Sequence, residues 1–295
     1  MNESKIDARD ICLITPIDQN KDVLCWDGHV HRRFFEEESV RMVESWRKHG
    51  GWLKNIRIYV FNVNHAQISQ STIDKLVNFG CEYIVEDVDQ YKEMGFLTEP
   101  LCGKLAEERV KEDVMIKIDL DMTLLRPLDA QLINQANDGI LIEQYTDSDA
   151  KVQRNSIGNF NPFDTCFIIS KKSHGFYQKY YDLCFSKDIV ENPEWEKIHS
   201  ETGNYFLEEF VVDYMYKNRI CNIIPTKNHI CGEGYISVDS MSPQEISTVR
   251  FFHSHIYMDS SHKDEFAARQ QKFINEQRLG YMKKMCQILT TGSRY

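Results

Sequence analysis

The sequence contains no Cys-x-x-Cys pair, no surplus of basic charge, and no apolar run near the roughly 18 residues that span a bilayer. Its nine cysteines, at 12, 25, 81, 102, 166, 184, 221, 231 and 286, are odd in number and widely spaced. They suggest neither a disulfide framework nor a thiolate zinc site. Cys12 and Cys166 sit inside apolar runs, where a reduced thiol behaves as a small hydrophobe, and a reducing compartment is expected. The net charge of -10 argues against nucleic acid as a partner, since no basic face is available to displace counterions from phosphates. The N-terminal residues Met1 to Asp10 carry no apolar signal region, so a protein that is cytoplasmic, or whose anchor lies outside this sequence, is expected. No Pro/Gly/Ser-rich linker, low-complexity run or internal repeat divides the chain, and a single domain over residues 1–295 is expected.

What is present suits a full core. Hydrophobic residues make up 42% and charged residues 27% of 295 positions, with 16 Phe and 14 Tyr. The first half alternates short β-branched runs with helical stretches, a pattern that predicts an α/β fold with a mostly parallel central sheet flanked by helices. Strands are predicted at Ile11 to Ile14, Ile56 to Phe61, Glu82 to Val85 and Val114 to Ile118. Helices are predicted at about Val30 to Lys48, where Phe35, Met42, Val43 and Trp46 share a face, at Ser71 to Asn78 and at Gly103 to Lys111. In open α/β sheets ligands bind at the carboxyl ends of the strands, so the loops after Ile14, Phe61, Val85 and Ile118 are expected to line one cleft. The second half is less regular. Strands are expected at Ile140 to Ile142, Cys166 to Ile169 and Val249 to Phe252, and helices at His174 to Phe185 and Tyr205 to Lys217.

Three Asp-x-Asp triplets occur, at Asp87/Asp89, Asp119/Asp121 and Asp147/Asp149. About one would arise by chance in a chain of this length. Asp119/Asp121 alone follows a long apolar strand and precedes an apolar run, in Met115-Ile-Lys-Ile-Asp119-Leu-Asp121-Met-Thr-Leu-Leu-Arg-Pro127-Leu. In extended chain, residues i and i+2 point the same way, so both carboxylates could reach one cation, with oxygen ligation suiting Mg²⁺ or Mn²⁺.

With this motif the chain resembles the GT-A glycosyltransferases, in pattern closest to glycosyltransferase family 8, over roughly residues 10 to 255. The resemblance includes Lys104-Leu105 upstream and Phe252-His253-Ser-His255 near the C-terminus. It implies a Rossmann-like nucleotide-diphospho-sugar transferase fold, with a nucleotide-sugar-binding half at 10–130, an acceptor-side half at 131–260 and a C-terminal helix at 261–295. It also implies metal-dependent transfer from a UDP- or GDP-sugar donor to a glycan or lipid-linked acceptor. Asp121 would ligate the metal directly, Asp119 through water or by holding the ribose, and His253 or its neighbour His255 would complete the shell. Thr15 and Pro16 would hold the nucleoside, and Lys104 would reach phosphate or ribose from a helix start. The acceptor-side strand lacks the family's Asn-x-Gly and reads Phe160-Asn161-Pro-Phe-Asp164-Thr-Cys-Phe167.

The same segment also resembles the first motif of haloacid-dehalogenase phosphatases, through Asp119, Asp121 and Thr123, with Phe167 to Ser170 as their second motif. That reading needs a later strand ending in paired acids. From a third class, an inactive sugar-nucleotide or glycan-binding module would keep the same residues. An inverting transferase needs a carboxylate to accept the acceptor hydroxyl's proton, and Asp164, Glu208, Glu209 and Asp213 are the candidates, Glu209 and Asp213 being four apart on a predicted helix. The helix expected from Lys263 to Leu289 carries an apolar face of Phe266, Phe273, Tyr281 and Ile288, expected to pack on the domain. Its basic end, Arg278, Lys283, Lys284 and Arg294, would also suit peripheral contact with an anionic membrane.

Overall fold

The computed structural model describes residues 5–17, 23–25, 30–31, 34–63, 67–86, 98–144, 163–202, 206–227, 229–232, 247–253 and 257–258. Asp87/Asp89, Asp147/Asp149, Asn161, Gly203 to Tyr205, His255 and the helix expected from Lys263 to Leu289 lie outside the described residues.

The first half runs β1 (Ile11–Pro16), β2 (Val23–Cys25), β3 (Val30–His31), α1 (Phe34–His49), β4 (Arg57–Asn62), α2 (Gln70–Asn78), β5 (Cys81–Val85), α3 (Thr98–Arg109) and β6 (Val114–Ile118). The rest runs β7 (Met122–Leu124), α4 (Ala130–Asn134), β8 (Ile140–Gln144), β9 (Phe163–Lys171), α5 (Phe176–Cys184), α6 (Lys187–Val190), α7 (Pro193–Thr202) and α8 (Leu207–Lys217). It ends in β10 (Ile223–Thr226), β11 (Ile230–Gly232), β12 (Phe251–His253) and β13 (Tyr257–Met258).

Seven strands form the central sheet in the order β10-β8-β9-β6-β1-β4-β5. Every neighbouring pair is parallel except the two made by β9, which runs against both β6 and β8. Helices cover both faces, so the inner strands read as continuous apolar runs rather than alternating ones. All six residues of β1 and all five of β6 are buried.

Strand alternation sorts these residues between two cores. Leu13, Ile58, Val60, Val114 and Ile116 meet Met42, Val43 and Trp46 of α1 and Leu76 of α2. Cys12, Ile14, Tyr59, Phe61 and Met115 meet Cys102 of α3, Tyr177 of α5 and Phe210 of α8. Lys117 shares the alternation of Met115 and is fully buried, so a cation stands at a position where the strand offers its face to the α3, α5 and α8 layer. Burial of the four apolar residues of β6, worth about 1.5–3 kcal/mol each, offsets that cost only if the ammonium finds partners.

Two glycines allow turns and contacts that no other residue would. Gly80 takes φ +77 between α2 and β5, the left-handed region where a Cβ is strained. Gly103 lets α3 lie on α5, since a Cβ there would meet the Tyr177 ring at 2.0 Å.

Several boundaries depart from the sequence expectation. The helix expected from Val30 begins at Phe34, because Val30–His31 pairs with β2 as a strand. The helix expected from Gly103 begins at Thr98, so Lys104 stands in mid-helix rather than at a helix start. The run after the motif contains a strand, β7, which joins a second sheet in the order β11-β12-β7. None of the six cysteines whose side chains are described forms a disulfide, and five of them are buried.

Candidate functional site

At its carboxyl end β6 leaves the sheet through a turn. Met122 N donates to Asp119 O at 3.2 Å, while Asp119 N is held by Cys166 O at 3.1 Å. Asp119 and Asp121 therefore converge through a turn and not, as expected, through the alternation of extended chain.

Beyond the turn, β7 pairs antiparallel with β12, and His253 stands opposite Met122. This register carries the histidine to the turn from far along the chain. Its Nε2 lies 3.4 Å from Asp121 Oδ1, with both side chains buried. The ligand atoms of Asp119, Asp121 and His253 lie within 4.8 Å of one another. Two carboxylates and an imidazole are a donor set that Mn²⁺ or Mg²⁺ can use.

The strands holding this group are themselves anchored. Leu124 N donates to Ser45 Oγ at 3.0 Å, tying β7 to α1. Phe251, on the same side of β12 as His253, stacks on Trp46 at 6.5 Å and packs on Phe167 at 5.0 Å between ring centroids. Buried Glu143 accepts from Thr226 Oγ1 at 2.6 Å and from His229 N at 2.9 Å. His229 O in turn accepts from Arg250 N and Phe251 N, at 2.7 and 2.9 Å, which fixes the entry of β12.

On the other side of Asp119 is an ionic group that the sequence reading passed over. Lys117 Nζ lies 2.5 Å from Asp119 Oδ1 and 2.5 Å from Glu99 Oε2, and donates to Thr165 O at 2.8 Å. Burial alone would depress the Lys117 pKa, but Asp119 and Glu99 outweigh it and hold it well above the ordinary lysine value. Glu99, from the first turn of α3, is pushed well above the ordinary carboxyl range by burial and then by Asp119, with Lys117 opposing. Lysine inside an otherwise apolar run was the signal available in the sequence, but its partners come from α3 and β9.

A register irregularity between β8 and β9 falls beside this group. Ile142 pairs with Ile168 and Glu143 with Asp164, so the residues between Asp164 and Ile168 bulge. Bulges of this kind re-aim side chains. Here the bulge presents Thr165 O to Lys117 and Cys166 O to Asp119, and Cys166 N donates to Asp164 Oδ1 at 2.9 Å.

The four candidate bases are separated by the fold. Asp164 is buried, and the ligand atoms of Asp164, Cys166 and His253 lie within 4.8 Å of one another. Glu208 lies behind the bulge, its Oε2 accepting from Thr165 Oγ1 at 3.5 Å. Burial, then the charge of Glu99, pushes its pKa well up. Glu209 is half-buried on α8. Asp213 is buried and ion-paired with Lys217 at 2.7 Å. At the end of β1 the Thr15 hydroxyl is fully buried with no hydrogen-bond partner among the described residues, and Pro16 is buried beside it. Lys104 holds its ammonium 4.4 Å over the Tyr181 ring, a contact within the helical layer.

No protein-family model matches the chain, and no curated protein matches its sequence. Solved structures do match. The galactosyltransferase LgtC, in complex with donor and acceptor sugar analogues, aligns with a TM-score of 0.53 at 13% identity, over 90% of this chain and 95% of that one. An active-site mutant of LgtC aligns at 0.52 and 12% identity over the same shares. Mouse xyloside xylosyltransferase 1, in its apo form, aligns at 0.50 and 10% identity, over 85% of this chain and 98% of that one. The fold is thus the GT-A fold, a mixed α/β architecture with a mostly parallel seven-stranded sheet flanked by helices.

Proposed function

We propose that this chain is a divalent-metal-dependent glycosyltransferase, moving a sugar from a UDP- or GDP-sugar to a glycan or lipid-linked acceptor. One observation carries the reading. In a fold shared with a galactosyltransferase and a xylosyltransferase, the β12–β7 register brings His253 beside the Asp119–Asp121 turn at the carboxyl edge of the sheet. That edge is where open α/β sheets bind their ligands.

Asp121 and His253 would hold the cation, Mn²⁺ or Mg²⁺, with Asp119 contacting it through water or holding the ribose. When bound, the cation supplies positive charge to the diphosphate as it leaves. Lys117 fixes the orientation of Asp119 and cancels its charge, so the pair enters substrate binding already positioned. The buried Thr15 hydroxyl and Pro16 line the end of β1, where the nucleoside would lie. In an inverting reaction the acceptor oxygen bonds the anomeric carbon as the bond to the diphosphate breaks, and the hydroxyl proton passes to a carboxylate. Among the four candidates Asp164 takes that role, because it stands with His253, whereas Asp213 is committed to Lys217.

The phosphatase reading has less support. Phe167 to Ser170 lies on β9, antiparallel to the motif strand. Among the described residues no later strand ends in paired acids: β10 is followed by Lys227, and β11 closes at Gly232. A single-domain organisation and a cytoplasmic location, with peripheral membrane contact through the C-terminal segment, belong to the same proposal. No helix among the described residues is long and apolar enough to cross a membrane.

Thermal-shift measurements with UDP-, GDP- and CMP-sugars, with and without Mn²⁺, test the reading. One nucleotide class should stabilise the protein only with metal, by about 2.7 kcal/mol at a hundredfold excess over its Kd. Metal-dependent donor hydrolysis should accompany it and fall by about 10²–10³-fold in Asp121→Ala, the scale of losing one electrostatic contact to a transition state. Binding without hydrolysis or transfer would favour an inactive binding module, and hydrolysis of phosphomonoesters alone a phosphatase.

A further inference from the structure

His253 belongs to two groups of donor atoms. Besides Asp119 and Asp121, its ring lies within reach of Asp164 and Cys166, whose ligand atoms are within 4.8 Å of it and of each other. These three side chains are buried, with 5% of Asp164, 1% of Cys166 and 3% of His253 exposed. They are also held from both sides. Asp164 and Cys166 are i and i+2 on the bulge of β9, braced by the Cys166 N to Asp164 Oδ1 hydrogen bond, and Phe251 anchors the strand that carries His253.

The second group differs from the first in one donor, a cysteine sulfur in place of a carboxylate. Carboxylate, thiolate and imidazole together suit zinc or cobalt, whereas Mg²⁺ and Mn²⁺ favour oxygen. Three protein ligands would leave a fourth position of a tetrahedral ion open. Around zinc, with bonds of about 2.0–2.3 Å, ligand atoms stand about 3.5 Å apart, so closure needs side-chain movements of about 1 Å. Cysteine spacing along the chain carries no sign of this group, because two of its three residues share a bulge and the third comes from a distant strand.

We propose that Asp164, Cys166 and His253 form a second cation position, selective for thiophilic ions such as Zn²⁺, which competes for His253 with the Asp119–Asp121 pair. A neutral imidazole carries one lone pair, so His253 serves one cation at a time. Zinc bound here withdraws the histidine from the first group and occupies Asp164. Binding rests on the ligand geometry alone; its inhibitory consequence rests on the glycosyltransferase reading above.

Titrating the full chain with Co²⁺ reads the site directly, through the near-ultraviolet cobalt–thiolate charge-transfer absorption. The expected result is a band saturating near one equivalent, displaced by Zn²⁺, abolished in Cys166→Ala and retained in Asp121→Ala. No band in the wild type, or an equal band in Cys166→Ala arising from another cysteine, overturns the proposal. Should Cys166→Ala melt earlier than the wild type without metal, Asp164→Asn decides instead. Its amide oxygen can still accept from Cys166 N, and Co²⁺ affinity should fall at least tenfold; unchanged affinity overturns the site. In Mn²⁺-supported donor hydrolysis, with each protein referred to its own zinc-free rate, the zinc concentration for half-inhibition should rise at least tenfold in Cys166→Ala. If no nucleotide sugar is hydrolysed by the wild type, the enzymatic reading fails while the cobalt band still judges the second site.

Discussion

Asp119 and Asp121 are separated by one residue and live in different surroundings. Asp119 faces Lys117 at 2.5 Å, with Glu99 beyond, so the sheet itself supplies a permanent positive charge. Asp121 is buried against His253, whose Nε2 at 3.4 Å offers a lone pair when the ring is neutral. The contrast teaches that the two carboxylates are not equivalent. One has its counterion built into the strand, and the other faces a group that would share a cation with it.

Removing the built-in charge should have the largest effect. Lys117→Met leaves the half-buried Glu99 and Asp119 without their fully buried ammonium, and breaking such a group costs up to about 3–5 kcal/mol. Urea denaturation should show that loss with or without Mn²⁺, and adding Glu99→Gln should recover part of it. A midpoint unchanged in Lys117→Met would mean the lysine is not compensating the pair.

His253→Ala should act on the other side. Mn²⁺ affinity, measured by calorimetry, should weaken by at least the roughly 10–100-fold that losing a ligand's supporting partner costs, while metal-free stability falls by no more than a cavity of this size allows, about 2–4 kcal/mol. Equal Mn²⁺ affinity would erase the distinction between the two carboxylates. The smallest effect is expected at Lys104, whose contact with Tyr181 is worth about 0.5–1 kcal/mol. Lys104→Ala should lower stability by that amount and leave the KM for donor unchanged, and a large rise in KM would return this lysine to the donor site.

Much of the first region was legible in the sequence. The bounds of β6, Val114 to Ile118, are legible because four of its five buried residues are apolar and Lys117 alone interrupts the run. Helix α1 was visible through Phe35, Met42, Val43 and Trp46, all buried on one face. Its start was not, because Val30 and His31 pair with β2, a contact no local pattern records. The same limit hid β7: three residues are too few to show a period, and their strand character depends on β12. Lys104 was misplaced within its helix because α3 begins five residues earlier than its apolar pattern suggested.

By itself the sequence determined a buried strand, the two aspartates at its end, and the alternation of strands and helices that makes an α/β sheet. These are local properties, written in burial and backbone preference over a few residues. The tertiary structure alone decided that Lys117 would compensate Asp119, that a bulge would turn Asp164 and Cys166 together, and that His253 would stand between both groups. Such meetings depend on strand register and on helices packed from distant parts of the chain, and a one-residue slip would turn each of these side chains to the opposite face.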